Sequence, residues 1–224
     1  MSVKENIERV RENIALACKE CGRDPSDVLL LAVTKTRSAD EINEAIDSGI
    51  TDIAENRVQE LCAKYDDVKK GVKWHLIGHL QTNKVKYIVD KVSMIHSVDS
   101  IKLAAEIDAR CEKLSKVMDI LIEVNSGEEN KNGVSYEEAE NLVMQASQLK
   151  NVRIRGLMTM APLGAPKDEL MKVFSRLHKL SVDIGAKKYD NVDMSILSMG
   201  MSSDYVEAVK SGATIVRIGR TLFN

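Results

Sequence analysis

The sequence predicts a single (β/α)₈ barrel over residues 1–224, with an extra helix ahead of the first strand. Three observations lead there. Short apolar, β-branched runs alternate with longer amphipathic ones, so the hydrophobic period switches repeatedly between that of a strand and that of a helix. Eight strand-like runs occur, and strands joined by helical crossovers pair in parallel, eight of them closing a barrel. Finally, 224 residues suit one core, and no linker, repeat or low-complexity segment interrupts them.

Taken in order, the first amphipathic run covers residues 2–21, with Ile7, Val10, Ile14 and Ala17 on one face. The first strand is LLLAVTK, 29–35. Ser38 then opens a helix with Asp40 and Glu41 in its first turn, and Gly49 ends it. The second unit is TDIAEN (51–56), then a helix through Val58, Leu61 and Cys62. The third is KWHLIGH (73–79) followed by TNKVKYIVD. The fourth is SMIHSV (93–98) with a helix from Ser100 to Leu114, and the fifth is VMDILIEVN (117–125) with a helix from Ser135 to Leu149. The sixth is VRIRGLMTM (152–160) with a helix from Pro166 to Ile184. The seventh is DMSILSMG (193–200) with a helix from Ser203 to Lys210 and Gly212 as its stop. The eighth is TIVRIGR (214–220), and no helix is expected after it. The N-terminal helix is expected to cover that flank and complete the outer ring.

Composition narrows the function classes. With 32 basic and 34 acidic residues the formal net charge is -2, so no global field favours nucleic acid or an anionic membrane. No apolar run approaches the roughly 20 residues of a membrane span. The N-terminus carries Glu5, Glu8 and Glu12, unlike a signal or transit peptide, so the expected location is the cytoplasm. Cys18 and Cys21 form the one C-x-x-C pair. No second pair follows to complete a zinc site, so they read as reduced cytosolic thiols.

In this barrel the active site lies at the C-terminal ends of the strands. Those ends supply Lys35, Asn56, His79, Asn125, Met158 with Met160, Ser198 with Ser202, and Arg217 with Gly219. Lys35 closes an apolar strand. A buried lysine is costly unless paired or deprotonated, and a neutral amine is the nucleophile a Schiff base requires. The competing reading is a strand-end lysine that reaches solvent. Alternation in VRIGR puts Arg217 and Gly219 on one face and turns Arg220 outward. Gly219 would let backbone N–H groups approach a phosphate. Ser198 and the run Ser202–Ser203–Asp204 open the next helix, where free N–H groups suit phosphate; simple N-capping is the alternative. His75 and His79 are spaced i, i+4 but lie in a strand-like run, so no metal is expected and His79 reads as a wall residue at the mouth. Met158 is the methionine expected to touch a flat ring.

With these residues in view, the chain resembles the pyridoxal-phosphate homeostasis protein family. The matching stretches are LLAVTKTRSADEI, AENRVQEL, WHLIGHLQTNK, the EVN end of strand five with Lys131 and Gly133, RGLMTM, LSMGMSSDYVEAVKSGAT and VRIGRTLF. They run in family order over nearly the whole chain. The resemblance implies a fold like the barrel domain of alanine racemase and pyridoxal 5′-phosphate (PLP) held as a Schiff base on Lys35. It implies Arg217 facing the pyridine nitrogen, Asn56 near the ring hydroxyl side, and phosphate held by Ser198, Ser202 and the backbone of Gly219 and Arg220. Two residues depart from the family pattern: Arg57, where an aromatic residue is expected, and Arg220, where a small or hydroxyl residue is usual.

The resemblance further implies intracellular PLP binding and supply; apo-PLP enzymes are the expected recipients and a monomer the expected working unit. The alternative is a weak amino-acid racemase or lyase; a phosphate-binding aldolase without PLP is a third class. Racemisation needs proton transfer on both faces of the substrate α-carbon. In alanine racemase a tyrosine from a partner subunit's added domain serves the second face. Here the chain ends after strand eight, and Tyr65, Tyr87, Tyr136, Tyr189 and Tyr205 all fall away from the strand ends. A carrier without robust turnover is therefore the expected activity.

Overall fold

Capping serines start four of the helices, and their identities follow from the local sequence. In the computed structural model, which describes residues 2–128 and 132–224, Ser2, Ser38 and Ser135 each form a reciprocal capping box with the glutamate three residues on. Ser100 caps through Leu103 N–H. Each such cap satisfies orphan N–H groups and contributes about 1 kcal/mol. The resulting helices are α1 (Val3–Glu20), α2 (Ala39–Asp47), α3 (Val58–Lys64), α4 (Ile101–Lys113), α5 (Tyr136–Ala146), α6 (Lys167–Gly185), α7 (Tyr205–Lys210) and α8 (Arg220–Phe223). Gly49, at φ +90, ends α2 in a conformation that suits glycine.

Between them run β1 (Leu29–Val33), β2 (Asp52–Glu55), β3 (Lys73–Leu76), β4 (Met94–Val98), β5 (Met118–Glu123), β6 (Val152–Met158), β7 (Val192–Ser198) and β8 (Ile215–Ile218). They pair in parallel, in sequence order, and close into a barrel. Closure is the β1–β8 ladder, with Leu31 opposite Arg217 and Ala32 opposite Ile218. A large apolar core fills the layer between strands and helices, including Trp74 and Phe174. A second, small cluster fills the barrel itself: Leu31, Ala54, Met94, Leu121, Met158 and Ile215.

The helix α1 packs on α7, α8 and α2, covering the flank expected of it. Three expectations change. A helix does follow β8: the four-residue α8, whose end is tied to α1 because Asn6 Nδ2 donates to the carbonyls of Leu222 and Asn224 at 3.1 Å each. Gly219 caps α8 at φ -118, ψ -77, so strand alternation stops at Ile218. The segment after β3 is a 3-10 helix, Thr82–Tyr87, rather than a full α-helix. Of the residues named from sequence, Lys131 lies outside the described residues.

One glycine is essential to the barrel wall. Gly156 sits at φ +151, and a Cβ there would lie 1.8 Å from the carbonyl oxygen of Ile196. The β6 register shifts against both neighbours beside it, as at a bulge, and the shift turns Met158 into the barrel. Gly156→Ala should lower stability by about 3 kcal/mol, since only backbone can yield. Urea unfolding should show a lower midpoint at an unchanged slope; an unmoved midpoint would show that the wall tolerates a side chain there.

Candidate functional site

A cavity of about 190 Å³ opens at the C-terminal ends of the strands. Its apolar wall is Val33, Ile77, Met160, Leu163 and Met201. Its polar lining is Lys35, Asn56, Ser202, Ser203, Arg217 and Arg220, with Gly219 between the last two. Larger spaces exist elsewhere. One of them, about 630 Å³, lies at the opposite mouth, where Asp52, His75 and Asp119 meet Arg23 and Lys73. Size does not decide between them: in this fold the strand C-termini carry the chemistry, and the smaller cavity is the one at those ends, where Lys35, Arg217, Ser202 and Ser203 meet.

Lys35 lies on the turn after β1 and is exposed. The barrel does not desolvate it, so the burial argument made from sequence fails. Its position is held from below. Thr34 Oγ1 donates to Glu55 Oε1 at 2.8 Å, and Lys64 Nζ donates to that same oxygen at 2.8 Å and to the Thr34 carbonyl at 2.9 Å. Thr36 follows in a left-handed conformation, φ 65, uncommon for a residue with a branched Cβ. A polar knot of Thr34, Glu55 and Lys64 thus fixes the residue before Lys35, and a strained turn bends the chain after it.

Arg217 projects into the barrel from β8 and is 4% exposed. Its Nη1 donates to Ser198 Oγ at 2.8 Å and its Nη2 to the Thr159 carbonyl at 2.9 Å. Burial lowers its pKa to about 10, with Glu123 and Asp204 opposing the shift, so it remains a cation near neutral pH. Glu123, at the end of β5, is 2% exposed and its Oε2 has no partner. Burial, aided by Asp99 and opposed by Arg217, pushes its pKa up to about 7.

At the other end of the cavity, Asp204 is the N-cap residue of α7, and its carboxylate accepts from Met201 N–H. Neither Ser202 nor Ser203 caps the helix, and both line the cavity instead. A Cβ on Gly219 would approach the Val33 carbonyl to 3.2 Å, so glycine keeps this wall thin. Across the cavity, Asn56 Oδ1 is buried without a hydrogen-bond partner, which points to a missing donor.

The alanine racemase N-terminal domain model matches residues 6–224. A curated relative from Aquifex aeolicus, a pyridoxal phosphate homeostasis protein, is 43% identical, over 100% of this chain and 98% of its own. The chain belongs to the pyridoxal phosphate homeostasis protein family. Among solved structures, PipY of Synechococcus elongatus with PLP bound matches with a TM-score of 0.88 and 33% identity, covering 100% of both chains. Alanine racemase of Clostridium difficile shares the fold, with a TM-score of 0.77 at 15% identity, over 99% of this chain and 56% of its own.

Within this family member, the cavity brings together Lys35, Asn56, Ser202, Arg217, Gly219 and Arg220. Two residues named with them lie elsewhere. Met158 is fully buried in the barrel cluster, and Met160 and Met201 line the cavity in its place. Ser198 is fully buried beneath Arg217, bonded to it and to His96. Arg220 lines the cavity rather than facing the outer helices, because α8 begins where alternation was assumed to continue. His79 is half exposed and pairs with Asp99 at 3.5 Å, and among the described residues no cluster could hold a metal ion. Sequence reasoning missed Glu123, although an acidic residue ending an inward-facing strand was visible in EVN.

The raised Glu123 pKa has a sign that can be tested. Its folded value, about 7 against an ordinary 4.5, means the native state holds the proton more tightly. The associated stability is fully present below about 4.5 and is lost as pH rises through about 7, a loss of about 3 kcal/mol. Glu123→Gln should flatten the fall in unfolding free energy between pH 5 and pH 8 by about 2–3 kcal/mol. Urea unfolding at the two pH values checks it; an unchanged slope against pH would show that Glu123 ionises normally.

Proposed function

We propose that this chain binds PLP in the cavity at the strand C-termini and serves as an intracellular PLP carrier. The observation that carries the reading is the convergence of Lys35 and Arg217 on one cavity whose far end offers Ser202, Ser203, Gly219 and Arg220. The fit is supported by the partnerless Oδ1 of Asn56, placed to accept from a ring hydroxyl. PLP bound here would supply a reactive aldehyde and an electron-withdrawing ring.

The chain's own residues then have distinct tasks. Lys35 supplies the amine that holds the aldehyde covalently. Arg217, a donor only, meets the ring nitrogen and keeps a proton off it. The serine hydroxyls and the Arg220 side of the cavity hold the phosphate, with Gly219 admitting it close to the backbone. Ile77, Met160 and Met201 pack against the ring faces.

The lining contains one amine and, among the described residues, no tyrosine, histidine or carboxylate. Tyr205 is buried away from it, accepting a hydrogen bond from Asn13 at 2.9 Å. A single proton-accepting group supports a carrier over a racemase, which needs two. The reading extends to work in the cytoplasm on apo-PLP enzymes as a monomer; no helix of the described residues is long and apolar enough to cross a membrane.

Borohydride reduction of the PLP-loaded protein should fix pyridoxyl to Lys35, and Lys35→Ala should lose the visible absorption band. Pyridoxyl recovered only on another lysine in peptide maps would refute the site. Turnover of common amino acids should stay well below about 1 per second, the low end of typical enzymes; faster racemisation by chiral analysis would establish an enzyme. Arg220→Ala should weaken PLP about fivefold, or about 1 kcal/mol, a charge-assisted contact discounted for its exposure. An affinity within twofold of wild type in equilibrium titration would leave only the backbone of residue 220 at the phosphate.

A further inference from the structure

A buried polar chain runs from Arg217 through the barrel to its opposite mouth. Arg217 Nη1 donates to Ser198 Oγ at 2.8 Å, and Ser198 Oγ lies 2.9 Å from His96 Nδ1. His96 Nε2 lies 2.9 Å from His75 Nδ1, and His75 Nε2 lies 3.0 Å from Asp52 Oδ1. The five residues come from β8, β7, β4, β3 and β2, and none is more than 5% exposed. Asp52 and His75 line the large cavity at the far mouth, away from the PLP site. Nothing in the binding scheme above uses His75, His96 or Asp52.

The chemistry of the end groups gives the chain a direction. A guanidinium only donates, so Ser198 Oγ accepts from Arg217 and its single proton goes to His96 Nδ1. Neutral His96 then carries its proton on Nε2 and donates to His75 Nδ1. Neutral His75 likewise carries its proton on Nε2 and donates to Asp52, a carboxylate that only accepts. The bonding states agree with this. Burial, with the Arg217 guanidinium also opposing a second positive charge, holds the His96 pKa well below its ordinary value and keeps that ring neutral. Burial raises the Asp52 carboxyl, but hydrogen bonds from His75 and Thr51 outweigh it and leave the pKa lowered.

Among the described residues Arg217 has no carboxylate at ion-pair distance; Glu123 and Asp204 act on it from farther away. Its orientation therefore rests on Ser198 and the Thr159 carbonyl, and that of Ser198 rests on His96. We propose that His96, His75 and Asp52 are positioning residues for Arg217, forming a one-way hydrogen-bond relay anchored on a carboxylate at the opposite mouth of the barrel. Each link polarises the next, and the anionic end strengthens the set. The relay rests on the PLP reading in one respect only, that Arg217 meets the ring.

Two measurements test it. In the ligand-free protein, nitrogen-15 spectra of the imidazoles, assigned with His75→Phe and His96→Phe, should show both rings neutral and protonated on Nε2 at pH 7. A proton on Nδ1 of either ring, or a charged ring, would overturn the relay. In the PLP-loaded protein, His75→Phe should move the pH midpoint of the visible band by at least about half a unit, a threefold change in proton affinity. His75→Gln, which can accept and donate in the same places, should restore the midpoint to within about 0.2 unit. If His75→Phe does not fold, Asp52→Asn at the rim takes its place, with a shift of the same minimum size expected. An unmoved midpoint in the folded variant, with pyridoxyl still recovered on Lys35, would reduce the chain to inert filling. Pyridoxyl recovered elsewhere would refute the PLP site instead, and the ligand-free spectra would still decide the relay.

Discussion

Everything at the candidate site depends on the pairing of the first strand with the last. In the β1–β8 ladder Leu31 faces Arg217 and Ala32 faces Ile218. That register sets Lys35, on the turn beyond β1, beside the Arg217 and Gly219 wall. No local interaction could do this, because the two segments stand at opposite ends of the sequence. The same closure explains the devices around it. Asn6 ties the last helix to the first, and α1 covers the seam where an eighth full-length helix would otherwise pack. The bulge at Gly156 adjusts the far wall so that the strands still meet.

The barrel interior is less apolar than its small cluster suggests. Beside Leu31, Leu121 and Met158 lie Arg217, Ser198, His96 and Glu123, all nearly inaccessible. Buried polar groups persist at low cost only when each is hydrogen-bonded. Most are, through the chain that ends on Asp52. Among the described residues the departures are Glu55 Oε2, Asn56 Oδ1 and Glu123 Oε2, all at the strand C-termini, and Arg155 Nε on β6, which stands 3.2 Å from Asp193 Oδ2. The imbalance is concentrated at the mouth that would receive a ligand, while the opposite end of the chain is satisfied within the protein.

On the proposed PLP site, an arginine that would face the ring nitrogen and a single amine in the lining bear on the same question. The arginine offers no route for protonating the ring, which limits how strongly the ring can withdraw electrons. The lone amine serves one face of a bound group. On that proposal they favour holding the cofactor over turning substrates over. Membership in the pyridoxal phosphate homeostasis family bears on the handling of PLP, and likeness to alanine racemase at 15% identity speaks to the fold alone.

The sequence by itself determined the element order and the capped helix starts at Ser38, Ser100 and Ser135, because periodicity and capping are local. It also supplied Lys35 and Arg217, because polar residues at the ends of apolar strands stand out against their neighbours. Tertiary structure alone decided which of those end residues share a cavity. Ser198 and Met158 end strands as plausibly as Lys35 does, yet their side chains point down into the barrel, since bulges at β6 and the short β7–β8 pairing shift the register. Arg220 was misplaced because a strand became a helix at Gly219. His75, His96 and Asp52 were legible only as isolated polar residues on three strands. Their connection is a property of barrel closure, which brings strands distant in sequence within hydrogen-bond reach of one another.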